Sequence, residues 1–150
     1  MGKDRPSEVN VLNDNYVLAR EPVDLLLMDE ANRLVIIIQT LDKYLQNGGV
    51  SVDLIMDKSG EEIPLYSGTV DQMVVNIQES VDRIRSNGVL KFDMTEADGG
   101  KMQIGLLARS PITLYEYESE SGAKFLDIVG WQLNENDWED KMILRVVKRK

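Results

Sequence analysis

The chain has 150 residues, no cysteine, no histidine and a formal net charge of −9. This excludes disulfides, thiolate and imidazole metal sites, cysteine nucleophiles and the Ser-His-Asp arrangement. The acid excess falls in the first hundred residues, and an acidic surface repels phosphate backbones, so nucleic acid is not an expected partner.

Residues 1–21 read as an extended N-terminal arm. Val9, Val11, Leu12, Tyr16, Val17 and Leu18 are apolar but follow no helical period. The arm is expected to pack on folded structure through Val11, Leu12, Tyr16 and Val17. Its start, MGKDRPSEVNVLND, lacks the apolar stretch of a secretory signal, and no run in the chain is long enough to span a bilayer. A cytoplasmic setting and no membrane partner are therefore expected.

Residues 22–150 read as a single α+β domain. A first helix is expected from Pro22–Asp24, with a break possible at Met28–Asp29, to Asn47-Gly48-Gly49. In RLVIIIQTLDKYL, the band Leu34, Ile38, Leu41 and Leu45, flanked by Ile37 and Tyr44, should face the sheet. Val35 lies to one side and Ile36 nearly opposite. One helix on one sheet cannot cover all of these, so Val35, Ile36 and Tyr44 are candidate interface residues.

VSVDLIM alternates as a strand, DKSG turns, and EEIPLYS reads as a short edge or irregular strand because Pro64 lacks an N–H donor. A second helix is expected from Thr69 to Asn87-Gly88. Thr69 and Gln72 resemble a capping box, and Val70, Met73, Val74, Ile77, Val81 and Ile84 follow the 3.6-residue period. An antiparallel meander should complete the fold: VLKFDMT, KMQIGLLA, ITLYEYESE, KFLDIVGWQL and KMILRVV. The expected architecture is thus two helices packed on one face of a mostly antiparallel sheet of about seven strands. KFLDIVGWQL and ITLYEYESE are apolar on both sides, so they should be central, bulged or at an interface.

Little in the sequence points to catalysis. DGGK (Asp98–Lys101) is turn chemistry rather than a phosphate loop. Glu139-Asp140-Lys141 with Asp127 upstream offers carboxylates for Mg²⁺ and a lysine for a water, as a metal-dependent hydrolase using Asp127, Glu139 and Lys141 would need. Here Glu-x-Lys precedes the apolar strand residues, and a solvated strand start explains it as well. Glu116, Glu118 and Glu120 fall on one side of a strand and read as a solvent-facing charge row. Trp131 suits a core, whereas Trp138 in a polar loop is a candidate interface anchor.

The expected function is that of a non-enzymatic protein-binding or assembly protein, self-associating or part of a larger complex. Candidate interface residues are Val35, Ile36, Tyr44, Tyr16, Val17 and Trp138, with no cofactor or metal. The alternative is a nucleotide-like small ligand at a subunit junction, held by Lys101, Arg109, Tyr115 and Tyr117.

Overall fold

The computed structural model describes residues 16–18, 20–46, 49–78 and 88–149. Strand β1 (Tyr16–Leu18) and strand β2 (Val23–Asp24) precede helix α1 (Glu30–Leu45). Seven strands follow: β3 (Val50–Lys58), β4 (Glu61–Gln78), β5 (Val89–Glu96), β6 (Lys101–Leu107), β7 (Thr113–Ser119), β8 (Lys124–Leu133) and β9 (Glu139–Lys148). They form one sheet in the order β1-β7-β8-β9-β3-β4-β5-β6, with β2 beside β1 on the outer edge of β7. Each pairing is antiparallel.

The expected architecture is corrected on two counts: the described residues hold one helix rather than two, and nine strands rather than seven. The second helix is the main error. Residues 69–78 continue β4, while Glu79–Asn87 lie outside the described residues. Its physical cause is a β-bulge at Asp71, where the ladder steps from Val70↔Glu96 to Gln72↔Thr95. A bulge adds one residue to the usual two-residue repeat. The inward side chains therefore fall at Val70, Met73, Val75 and Ile77, among which Val70, Met73 and Ile77 keep the i, i+3, i+7 spacing of a helix face. The β-branched Val70, Val74, Val75 and Ile77 suit the strand.

The first helix starts later than expected. Val23 and Asp24 pair with Leu114 and Thr113 of β7, and Leu25 donates its N–H to Ile112 O at 2.8 Å. Asp24 Oδ1 accepts from Leu26 N at 2.9 Å and closes a turn. The helix then begins behind Asp29, whose carboxylate accepts from Asn32 N at 2.8 Å as an N-cap. Gln46 is its C-cap; the expected Asn47-Gly48 stop lies outside the described residues.

β4 shapes the whole molecule. Its first half pairs with β3 and its second with β5, the two ladders sharing only Val70. A second irregularity, opposite Leu54 and Ile55, leaves Leu65 unpaired beside Pro64. Pro64 thus sits at an edge, where its missing N–H is harmless. The sheet curls at β4 until β6 approaches β8, where Gln132 Nε2 donates to Gly105 O at 2.9 Å. Tyr66 lies across Gly68, where an added Cβ would meet its Oη at 2.5 Å, and its hydroxyl donates to Glu96.

Helix α1 fills the resulting trough. Ile37 and Leu41 pack in one core with Val52, Phe92, Leu126 and Leu144. β8 and β9 are buried on both faces, as two-sided apolar strands at the centre of a sheet should be. On the face away from α1, Asp127 lies opposite Arg145 in the ladder. The pair is bidentate, with Nε–Oδ1 at 2.9 Å and Nη2–Oδ2 at 3.2 Å, and both side chains are fully buried.

Candidate functional site

Among the described residues, the turn before α1 together with one flank of the helix forms a group of exposed apolar side chains close in sequence. Arg33, Ile37, Leu41 and Tyr44 point inward at spacings of four, four and three. At 100° per residue this leaves Ala31, Leu34, Val35 and Ile38 on one flank. Leu34 packs partly on the core. Val35 is 48 % exposed, Ile38 36 % and Leu27, in the preceding turn, 97 %.

That turn is held in place. Arg33 is buried, yet its guanidinium contacts no carboxylate among the described residues. It donates instead to four backbone carbonyls: Leu26 at 3.0 Å, Met28 at 3.1 Å, Ala108 at 2.8 Å and Ser110 at 2.6 Å. Burial lowers its pKa from the ordinary arginine value, partly offset by Glu30 and Asp24. Arg109 pairs with Glu30 at 3.1 Å across the same junction. Leu25 plugs the core, while Leu26 and Leu27 are left outside on a pinned backbone. Taken as helix, DLLLMD conceals these two leucines. The signal was present: three consecutive leucines in a turn cannot all point inward.

The other candidates are placed as follows. Ile36 is half-buried and packs on the core. Tyr44 is buried within the chain, its hydroxyl donating to Glu116 at 2.9 Å. Burial, with Glu116 beside it, raises its pKa far above the usual tyrosine value. Tyr16 stands edge-on to Phe125 with centroids 5.3 Å apart, and Val17 next to it is exposed. Val11 and Leu12 lie outside the described residues. Trp138 is 72 % exposed on the β8–β9 hairpin, where Asn134 Oδ1 accepts from Asn136 N and Trp138 N. Trp131 is half-buried.

The residues of the ligand alternative are not gathered. Tyr115 and Tyr117 stack on β7 with centroids 6.3 Å apart. Lys101 lies on β6, at the opposite end of the strand order, and Arg109 is engaged with Glu30. Nor is the hydrolase constellation assembled. Asp127 is sealed against Arg145, while Glu139 lies opposite Leu133, six residues along β8. That is roughly 20 Å at the rise of a strand. Lys141 reaches Asp57 at 3.6 Å. Among the described residues no cluster of three carboxylates could hold a metal ion. No described helix is long and apolar enough to cross a membrane.

Comparison with protein-family models, curated proteins and solved structures returns no match.

Proposed function

We propose that this is a non-enzymatic assembly protein that associates with a second copy of itself, alone or within a larger complex, through the outer flank of α1 and the turn before it. The reading places it in the cytoplasm, with protein as its partner and neither nucleic acid nor membrane. The observation that carries it is the set Leu26, Leu27, Ala31, Val35 and Ile38, exposed within one stretch of thirteen residues on a backbone pinned by Arg33. Each large apolar side chain gains about 1.5–3 kcal/mol when removed from water. Helix faces are readily self-complementary: two copies packed antiparallel about a two-fold axis bring like stripes together and oppose their macrodipoles favourably.

Light scattering at rising concentration tests the reading. The wild type is expected at twice the chain mass or more, and Val35→Glu at a smaller mass with unchanged circular dichroism. A wild type that stays monomeric at high concentration, or a variant of unchanged mass, overturns it.

A further inference from the structure

We propose that the tip of the β8–β9 hairpin docks a lysine- or arginine-bearing segment of a partner protein, with one cation of that segment seated on the Trp138 ring. This surface uses none of the residues of α1, and it absorbs an interface candidate that association through α1 leaves unused.

Trp138 carries the proposal. It is 72 % exposed and takes no part in the three hydrophobic clusters of the described residues. The loop that presents it is nevertheless fixed. Asn134 N donates to Trp138 O at 2.9 Å, and Asp137 N donates to Asn134 O at 3.0 Å. The Asn134 side chain accepts from Asn136 N and Trp138 N and donates to Asp140 Oδ2 at 3.3 Å. A loop already held in one shape loses little freedom when a partner binds. Tryptophan is also the side chain most typical of binding hot spots.

Charge selects the occupant. Residues 134–140 contain Glu135, Asp137, Glu139 and Asp140 and no cation. β9 runs beside β3 with Lys141 opposite Asp57, so the β3–β4 hairpin ends at the same edge of the sheet and adds Lys58, Glu61 and Glu62. Lys141 and Asp57 pair at 3.6 Å. The two hairpins thus hold seven carboxylates against two lysines, −5 of the chain's −9. The row at Glu116 is not comparable: expected to face solvent, Glu116 is buried against α1 and bonded to Lys43 and Tyr44. At the hairpin tip the indole face attracts a cation, and the surrounding carboxylates attract its neighbours and speed encounter. An acidic partner would be repelled, and a wholly apolar one would strip water from carboxylates without pairing them.

The test titrates the full chain with a hexa-arginine peptide, read by calorimetry and by the Trp138 indole N–H shift, with hexa-glutamate as control. Saturable binding of hexa-arginine alone is expected, equally in wild type and in Val35→Glu. Trp138→Ala should weaken it about fivefold, Trp138→Phe should recover part of the loss, and Trp138→Leu, apolar without a ring, should not. Glu135→Gln/Asp137→Asn/Glu139→Gln should weaken binding further and flatten its salt dependence. Glu21→Gln/Asp42→Asn/Asp71→Asn, which removes the same charge from exposed positions elsewhere, should leave it within about twofold. Equal losses in the two triple variants, Trp138→Ala binding as the wild type does, or no saturation would each overturn the proposal.

Discussion

The two flanks of α1 are similar in composition and opposite in surroundings. On the inner flank Arg33, Ile37, Leu41 and Tyr44 are sealed. On the outer flank Val35 and Ile38 meet solvent. Hydrophobicity does not separate them, since an arginine is inside and an isoleucine outside. Directional bonds do. Arg33 in the first turn holds four carbonyls, and Tyr44 in the last turn holds Glu116. These two anchors fix the rotation of the helix about its axis. The sheet-facing band expected from Leu34, Ile38, Leu41 and Leu45 is consequently turned by roughly 70° at 100° per residue. The apolar residues that the anchors turn outward are those that the proposed association would cover.

Removing an anchor should break this comparison most severely. Arg33→Ala leaves four carbonyls short of a donor, two of them on the β6–β7 connection, and each buried acceptor without a partner costs about 1–3 kcal/mol. Urea unfolding should show a loss of about 3–5 kcal/mol, with Arg33→Lys recovering little because an ammonium cannot span the four carbonyls. Next comes the apolar contrast. Ile37→Ala should cost about 2–5 kcal/mol as a buried truncation. Val35→Ala should change monomer stability by less than about 0.5 kcal/mol when measured below the concentration of association. Equal effects at the two positions would mean that the flanks do not differ. Smaller again is the cap: Asp29→Ala should cost about 1 kcal/mol, seen as fraying of the first turn in amide exchange.

The second anchor has a pH signature. Tyr44 is raised above the ordinary tyrosine value first by burial and then by Glu116. Tyr66 is pushed up to about 12, again by burial and then by its bond to Glu96. Folded-state values above the unfolded value near 10 mean stability that is fully present below about pH 10. That stability is lost as pH rises through the folded values, about 12 for Tyr66. Alkaline unfolding curves should steepen in this window, and Tyr44→Phe should flatten them. A variant curve parallel to the wild type would remove Tyr44 from this role.

How far the sequence reveals this arrangement varies by region. β5 and β6 alternate inward and outward almost without exception, and both lie where their pattern places them. β8 also occupies its expected range and β9 extends beyond the expected 141–147 to Glu139–Lys148, but six consecutive buried residues in each erase the alternation. Which partner Asp127 would find was therefore not legible: Arg145 stands opposite it only because the intervening hairpin sets that register. The bulge at Asp71 was hidden because a strand with one extra residue imitates a helix. For the candidate surface, Val35 was legible as apolar excess. Leu27 was legible only as one of three consecutive leucines, since its exposure depends on the turn that Asp24 and Arg33 impose.

The absence of cysteine allows the most direct test of association through α1. Val35→Cys and Ile38→Cys each place a single thiol on the outer flank, and Val74→Cys places one on β4 at similar exposure, 54 % against 48 % for Val35. A disulfide forms only when Cα atoms approach within about 7 Å, so its rate reports which surfaces meet. The account predicts that at least one α1 variant oxidises to a covalent dimer much faster than Val74→Cys, at a rate suppressed by adding Leu27→Glu. Equal, slow oxidation at all three positions would contradict it.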